Sequence, residues 1–245
     1  MTADGPAATT LLVAPDALAD DTFRIEGEAY HHLVRVKRLE VGDALRLTDG
    51  AGRARFAEIT SIAKKEALAR LGDEAPSNEP ELRVELLVAP PKPERAAWLV
   101  EKATEIGVAA IRFLSTERSA RAFAPAQLDR LRRVAVAAVE QCGRARVPEI
   151  DAEPSLEAAF EPVAAGRAAG IALDAGGADP FSGAFFLSTG QESRAVVLLV
   201  GPEGGWTETE RRRFAAAGAE VWSLGERALR VETAAVVAAG IVLAR

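Results

Sequence analysis

The sequence predicts an α/β protein in which a small β-rich module precedes a larger domain built on a parallel sheet. The first seventy residues contain short strands broken by turns, whereas strands and helices alternate from about residue 81 onward. A polar stretch with two prolines, residues 73–80, separates the two patterns and is typical of a linker. We therefore expect one domain at 1–72 and a second at 81–245.

A hairpin organises the first domain. Asp49-Gly50-Ala51-Gly52 is a turn signal between two partly alternating segments, 44–48 and 53–59. A short helix over 27–38 is expected before this hairpin. Small β-rich modules of this size often close into barrels, so we expect a β-barrel here.

The second domain begins with a strand and continues as alternating helices and strands. Pro93 stands where a first helical turn tolerates proline, and Gly107 is expected to cap the end of that helix. Thr207 and Glu210 have the spacing of a capping box. The predicted elements are strands at 82–89, 109–114, 169–174 and 195–200, and helices at 93–107, 125–142, 207–218 and 232–244. This alternation favours a parallel sheet with helices on both faces, and the Gly176-Gly177 stretch is expected to be flexible.

Length and composition indicate a globular protein of one or two domains and argue against a membrane or disulfide-linked protein. A chain of 245 residues suffices for one or two domains with a sizeable core. No apolar run approaches the ~18 residues that a membrane span needs, and the N-terminus lacks the pattern of a signal peptide. The single cysteine cannot form an internal disulfide. We therefore expect a cytoplasmic protein without membrane contact.

Charge is unevenly distributed along the chain. The formal net charge of −6 argues against nonspecific coating of RNA. Residues 31–55 nevertheless carry six basic against three acidic side chains, and residues 112–146 carry eight against three. Two such basic islands are able to hold a phosphate backbone locally. The alternative is that these side chains merely solvate helix surfaces.

Two glycine-rich loops near the C-terminus are the strongest functional signal. Gly201-Pro202-Glu203-Gly204-Gly205 follows the apolar run 195–200, and the segment 224–233 follows the short run 220–223. Glycine-rich loops at the carboxyl ends of parallel strands let backbone amides approach a ligand closely. The spacing is neither that of a Rossmann fingerprint nor that of a P-loop. We expect the two loops to lie on neighbouring strands and to clasp one small molecule.

These loops and several upstream motifs together resemble one family. The motifs are GPEGG at 201–205, LGERALRVET at 224–233, KATEIG at 102–107, TERS at 116–119, EQCGRARVPEI at 140–150, and HHLVRV at 31–36 with VGD at 41–43. In this order they resemble the SPOUT-class RNA methyltransferases. Within that class they resemble the enzymes that methylate N3 of a uridine in bacterial 16S ribosomal RNA.

The resemblance implies both architecture and partners. It implies a PUA-like β-barrel at 1–72 that recognises RNA, and a SPOUT domain at 81–245 with a trefoil knot that periodicity alone would not indicate. It further implies a homodimer and the small ribosomal subunit, with its 16S ribosomal RNA, as the substrate. No metal is expected, because the two adjacent histidines have no third ligand nearby.

The cofactor implied by the resemblance is S-adenosyl-L-methionine, held in a bent pose by the two loops. Apolar side chains are expected to form its walls, and backbone amides are expected to meet its adenine. The residues expected to bind it are Leu199, Gly201, Pro202, Glu203, Gly204, Gly205, Leu224, Gly225, Leu229 and Thr233.

Arg230 and Glu232 are the candidate catalytic residues. At the start of a helix their side chains diverge by about 200°. A guanidinium at this place is able to pair with the methionine carboxylate or to polarise a uracil carbonyl. Glu232 is one candidate acceptor for the N3 proton, and water is the other. The alternative is an ordinary surface arginine and a first-turn glutamate that complements the helix dipole.

Contacts with RNA are expected from basic residues in both islands. The candidates are Arg35, Lys37, Arg38, Arg118 and Arg144, for which solvation or helix capping is the alternative. For Arg118 a role in positioning the substrate is also open, and the resemblance implies that the corner around Arg144 meets either the RNA or the partner subunit. Cys142 lies on the apolar stripe of its helix and is expected to be a packing residue rather than a nucleophile. Two other functions remain open at this point: a non-catalytic RNA-binding assembly factor, and a SPOUT methyltransferase that acts on another RNA position.

Overall fold

The structure of the protein is a computed structural model that describes residues 9–119, 123–153, 155–181 and 195–244. The chain divides into two units, Met1–Glu79 with Val136–Val147 and Pro80–Ala135 with Pro148–Arg245. The end of one long helix and the loop after it therefore belong to the N-terminal unit. The domain boundaries at 72 and 81 stay a prediction.

The N-terminal unit is built on a five-stranded sheet in the order β1-β3-β4-β5-β2. Its strands are β1 (Thr9–Leu12), β2 (Thr22–Glu26), β3 (Ala44–Thr48), β4 (Ala54–Ile62) and β5 (Glu66–Glu74). Strand β1 runs parallel to β3, and the other pairs are antiparallel. The sheet ends at β1 and β2, so the module is a curled PUA-like half-barrel rather than a closed barrel.

The predicted hairpin and helix are both present in this unit. Strands β3 and β4 pair across the 49–53 turn, and the Asp49 carboxylate caps that turn. Its Oδ1 accepts from the backbone of Ala51 (2.8 Å) and Arg53 (3.1 Å), and its Oδ2 accepts from Arg53 Nε at 2.7 Å. Helix α1 (Gly27–Tyr30) continues as a π-helical segment at His31–Val36.

The second unit contains a six-stranded, wholly parallel sheet, which confirms the predicted α/β class. The strand order is β11-β9-β10-β6-β7-β8. The strands are β6 (Arg83–Val88), β7 (Ala110–Leu114), β8 (Glu149–Glu153), β9 (Ala169–Ala178), β10 (Ala195–Val200) and β11 (Glu220–Trp222). The helices are α2 (Pro93–Glu105), α3 (Pro125–Cys142), α4 (Leu156–Ala164), α5 (Glu208–Ala216) and α6 (Val231–Leu243). None of the helices within the described residues is long and apolar enough to cross a membrane.

Local signals set the ends of the helices as expected. Pro93 occupies the first turn of α2, and Gly107 beyond its end has φ +101°. The capping box at α5 is present, because Glu210 N donates to Thr207 Oγ1 and Thr207 N donates to Glu210 Oε2. Strand β8 and helix α4 were not predicted.

Two expectations about the sheet are wrong. Gly176 and Gly177 lie inside β9, and a side chain at Gly177 would stand 2.4 Å from the backbone of Trp222. Strands β10 and β11 are not neighbours, because β9 lies between them. The trefoil knot stays a prediction, since strand order specifies neighbours and not the threading of the connections.

We expect the substitution Asp49→Asn to weaken the hairpin in a pH-dependent way. Burial raises the pKa of Asp49, but hydrogen bonds from Ala51 and Arg53 outweigh it and leave the pKa below its usual value. The charged carboxylate therefore contributes stability above its unfolded pKa of about 3.9, and this contribution is lost as the pH falls through the folded pKa. Asp49→Asn should lower the free energy of unfolding by about 1 kcal/mol at pH 7 and by less at pH 3.5, measured by urea unfolding with circular dichroism. An equal loss at both pH values, or an equal effect of Asp20→Asn at an exposed position, would contradict this account.

Candidate functional site

A cleft of about 240 Å³ lies where β9, β10 and β11 meet the loops that follow β10 and β11. Both predicted glycine loops line it. The predicted residues in its walls are Gly201, Pro202, Glu203, Gly205, Leu224, Gly225 and Leu229. The structure thus brings the two loops to one cavity, although they follow strands separated by β9.

Three predicted cofactor residues do not line this cleft. Leu199 has no exposed surface and packs in the core beneath it. Gly204 faces away, since a side chain there would contact Arg118 at 3.5 Å. Thr233 lies in the first turn of α6 and is not part of the wall.

The middle strand supplies a wall that the sequence analysis missed. The register between β9 and β11 breaks between Val221, which pairs with Ala172, and Trp222, which pairs with Ala178. The intervening part of β9 bulges there and turns Leu173–Ala175 toward the cleft. The unpredicted cleft residues are Leu173, Asp174, Ala175, Val200, Trp206, Trp222, Ser223, Arg227, Ala228, Val231 and Ala234. A usable signal existed, because 173–175 lies at the carboxyl end of the predicted third strand.

Trp206 shapes the loop that follows β10. Its ring is 1% exposed, its Nε1 donates to the Leu173 carbonyl at 2.8 Å, and it meets Phe214 edge-on at 4.8 Å. A Cβ at Gly201 would stand 2.8 Å from the indole ring. Glycine at this position is therefore required for the ring to pack beneath the loop.

Charged groups of both signs line the cleft. Asp174 is 13% exposed at its side chain and accepts from Arg211 Nε at 2.6 Å, an ion pair that raises the pKa of Arg211. Glu203 adds a second carboxylate and Arg227 adds a cation. The cleft is therefore suited to a ligand that carries both positive and negative groups together with an apolar part.

Arg230 and Glu232 lie on either side of the first residue of α6, and Arg230 itself is the extended N-cap rather than part of the helix. Arg230 is exposed at the N-cap, between two residues of the cleft wall, Leu229 and Val231. The Glu232 side chain is 8% exposed, and its Oε1 lies 3.6 Å from Arg95 Nε on α2. Its Oε2 is buried without a hydrogen-bond partner among the described residues.

Arg144 does not fit the predicted RNA contact. Its guanidinium is buried and its Nη2 donates to Glu79 Oε2 at 2.6 Å. Glu79 Oε1 also accepts from the backbone of Ala145 and Arg146, each at 3.0 Å. The expectation fails because a buried arginine needs a carboxylate partner, and that partner comes from the segment predicted to be a linker.

Two further arginines of the second basic island also pair with acids, although they are less buried than Arg144. Arg112 lies within 3.7 Å of Glu85, Glu149 and Glu153, and Arg132 pairs with Asp151 at 2.7 Å. All four of these acids lie outside residues 112–146, so a count restricted to the island does not include them. A count of charges along the sequence therefore overstated the surface available to phosphate.

In the first island the structure separates two kinds of arginine. Arg55 is turned inward and donates to the carbonyls of Leu18, Asp20 and Gly72. By contrast, the predicted RNA contacts at the end of the π-helical segment are exposed: Arg35, Lys37 and Arg38.

The structure also places Cys142 and the two histidines. Cys142 is half-buried at the end of α3, in agreement with a packing role. His31 and His32 are both exposed on the π-helical segment. Across the part of the chain that the structure describes, no cluster of three metal-ligating side chains occurs.

Fold and cleft together define an RNA methyltransferase of the SPOUT class with a PUA-like module. A family model described as an RNA methyltransferase domain matches residues 78–243, and one described as an RNA methyltransferase PUA domain matches residues 25–72. Ribosomal RNA small subunit methyltransferase E of Synechocystis is 32% identical over 93% of this chain and 75% of its own length. The protein of that name from Bacillus subtilis is 28% identical over 87% of this chain and 86% of its own. The chain belongs to the ribosomal RNA small subunit methyltransferase E family.

Solved structures agree with this assignment. The crystal structure of ribosomal RNA small subunit methyltransferase E from Neisseria gonorrhoeae, bound to S-adenosyl methionine, is 28% identical with a TM-score of 0.78 over 95% of both chains. A Legionella pneumophila protein solved with the cofactor SAM bound is 27% identical with a TM-score of 0.77 over 98% of both chains. Relatives with this fold therefore bind that cofactor.

We expect Gly201→Ala to weaken binding of S-adenosyl-L-methionine by at least about tenfold. The added Cβ would press on the Trp206 ring at 2.8 Å and displace the wall of the cleft. Gly176→Ala is the matched control, because its Cβ meets nothing within 4 Å and the residue does not line the cleft. Calorimetric titration of both variants with the cofactor measures the difference, and equal affinities would refute the packing argument.

Proposed function

We propose that the protein methylates N3 of a uridine in 16S ribosomal RNA of the small ribosomal subunit, with S-adenosyl-L-methionine as the methyl donor. The observation that carries the proposal is the single cleft formed by both glycine loops, in a chain whose relatives are ribosomal RNA small subunit methyltransferases. The uridine N3 specificity rests on the family resemblance of the motifs.

The residues of the cleft fit this cofactor. Gly201, Gly205 and Gly225 bring backbone close to a ligand, and the last two have φ values of +67° and +101° that favour glycine. Leu224 and Leu229 supply apolar surface for an adenine ring. Asp174 and Glu203 suit the ammonium and sulfonium groups, and Arg227 suits the carboxylate. Leu199 and Gly204 then act indirectly, through packing in the core and against Arg118, and the contact of Thr233 with the cofactor stays a prediction.

When bound, S-adenosyl-L-methionine supplies a methyl group activated by a sulfonium. The chain must orient the uridine base, exclude water and stabilise the charge that develops as the N3 proton leaves. Arg230 is the proposed cation for that charge, because its guanidinium is exposed beside the wall residues Leu229 and Val231. N3 lies on the Watson–Crick edge, so the base has to be unpaired to reach this site.

Glu232 holds the start of α6 in place rather than accepting the proton. Its carboxylate is buried against Arg95 of α2 and is absent from the wall of the cleft. The pair between Glu232 of α6 and Arg95 of α2 fixes the first turn of α6. It thereby orients Arg230, which lies two positions before Glu232. Water is then the acceptor of the N3 proton.

The end of the π-helical segment is the proposed RNA surface of the N-terminal unit. Arg35 lies over the Tyr30 ring at 5.8 Å, which orients its guanidinium. Arg38 has φ +59°, a left-handed conformation in which glycine is usual. An arginine kept in a strained position on an exposed corner is typical of a functional contact. Arg118 and Arg144 are left out of this surface, because both are engaged with other parts of the chain.

The protein acts as a homodimer in this proposal. Helices α2 and α6 pack against each other and expose Trp98 (43%) and Val237 (41%). Large apolar side chains exposed on adjacent helices favour burial against a second copy.

Substitution of Arg230 tests the chemistry. Arg230→Ala should lower kcat by about 10²–10³-fold, and Arg230→Lys by less, because lysine keeps the charge but loses the planar pair of donors. Methyl transfer to small subunits from a strain lacking the enzyme, followed by mass mapping of the modified nucleoside, measures both rate and position. Arg212→Ala, at an exposed site on α5, is the matched control.

The outcomes of this experiment test the role of Arg230 separately from the identity of the methylated nucleoside. Full activity of Arg230→Ala with an unchanged sedimentation coefficient would remove Arg230 from the mechanism. A wild-type product other than N3-methyluridine would overturn the proposed function itself.

The RNA surface is tested by salt dependence. Replacement of Arg35, Lys37 and Arg38 by alanine should flatten the plot of log binding constant against log salt by about 2, at roughly 0.7 per lost phosphate contact. The paired change Lys64→Ala and Lys65→Ala, at exposed positions of the same unit, is the control. An unchanged slope in the triple variant would exclude this surface from RNA binding.

A further inference from the structure

The loop after β7 is tied to the loop after β10, although β6 lies between those strands. Within the β7 loop, Thr116 N donates to Ser119 Oγ at 2.9 Å and Ser119 N donates to Thr116 O at 3.1 Å. This closed turn, Thr116–Ser119, presents the side chain of Arg118 from a fixed backbone. The hydroxyl of Ser119 closes the turn, which gives a structural reason for the serine of the TERS motif.

Arg118 bridges two carbonyls of the glycine loop. Its Nη1 donates to Gly204 O at 2.8 Å and to Trp206 O at 3.3 Å. The stem of the side chain runs along Gly204, where a side chain would meet Cβ and Cδ of the arginine at 3.5 and 3.6 Å. A cation that binds two carbonyls holds both peptide groups in one orientation.

The two carbonyls belong to the part of the loop that shapes the cleft. Gly205, between them, lines the cleft with φ +67°, and Trp206 carries the ring that packs on Gly201. The same indole donates to Leu173 of β9 on another wall of the cleft. A rotation of these peptides would therefore move two walls at once.

A second contact joins the same two loops. Glu210 is 2% exposed and uses its two carboxylate oxygens for different donors. Its Oε1 accepts from Glu117 N at 3.1 Å, and its Oε2 accepts from Thr207 N at 2.8 Å. The backbone next to Arg118 is thereby held by the helix that follows the glycine loop.

We infer that Arg118 is a positioning residue for the cofactor: it holds the 204–206 peptides in the conformation that binds S-adenosyl-L-methionine, and it does not act by binding RNA phosphate. The inference rests on the proposed function, since it assigns the cleft to that cofactor. It differs from the expectation for this arginine drawn from the sequence, because the guanidinium already has two acceptors within its own unit.

The test is cofactor binding in the absence of RNA. Arg118→Ala should raise the Kd for S-adenosyl-L-methionine about tenfold in calorimetric titration, as expected for the loss of charge-assisted hydrogen bonds. Arg118→Lys should recover part of this loss, because an ammonium reaches one carbonyl but does not hold both in one plane. With saturating cofactor, the affinity for small ribosomal subunits and its salt slope should equal those of the wild type.

Two further variants sharpen the test. Arg213→Ala removes an exposed arginine that pairs with Glu157 at 2.9 Å, and it should leave the Kd for the cofactor unchanged. Glu210→Gln retains the shape but offers only one acceptor to two N–H donors, so it should weaken cofactor binding in the same direction as Arg118→Ala.

Each outcome decides the inference. An unchanged cofactor Kd in Arg118→Ala overturns it, and a flatter salt slope with unchanged cofactor affinity shows an RNA contact instead. An equal loss in Arg213→Ala also overturns it, because the effect would then be a general consequence of lost surface charge. If the wild-type protein binds no S-adenosyl-L-methionine, the proposed function fails and the inference fails with it, whereas a loss confined to the role of Arg118 leaves wild-type binding intact.

Discussion

The packing of the Trp206 indole is the contact on which the cleft depends. The ring needs a glycine at 201 to reach its place, and its single donor is satisfied by Leu173 of β9. Its other edge meets Phe214 of α5, which in turn packs on Phe160 of α4 at 5.4 Å. One side chain thus joins the loop after β10 to the neighbouring strand and to α5, and Phe214 extends the contact to α4, which makes the glycine loop a rigid wall rather than a free turn.

Polar contacts extend this rigidity across the edge of the sheet. The Glu210 carboxylate caps its own helix and also receives the backbone of the β7 loop. Arg118 also joins the β7 loop to the glycine loop, because its guanidinium donates to the Gly204 carbonyl. Because these groups form hydrogen bonds with fixed directions, they set the orientation of the loop and not only its position. Preorganisation of this kind lowers the entropy lost when a ligand binds.

The local elements of the fold were predictable because their signals are local. The proline at the start of α2, the capping box of α5 and the hairpin at 49–53 act over a few residues, and each is found where the sequence indicates. Strand β8 was missed because three of its five residues are acidic. Helix α4 was missed although Leu156, Ala159, Phe160 and Val163 have helical spacing, because Pro162 lies inside it. The site was predicted in part, because both loops reach the cleft. The wall from β9 was missed although residues 173–175 stand at the carboxyl end of a predicted strand; only the register break beside them has no sequence signal of its own.

By itself, the sequence determined the class of fold, the two glycine loops and the family, because backbone conformation, capping and motif order are properties of short segments. Only the tertiary structure decided which arginines are exposed to solvent and which bind carboxylates or carbonyls of the same chain. Arg144 meets Glu79 across 65 positions of the chain, and Arg118 meets Gly204 across 86. Partners so distant are brought together by strand order and, for the buried Arg144, by the need to pair its charge, and neither can be read from neighbouring residues.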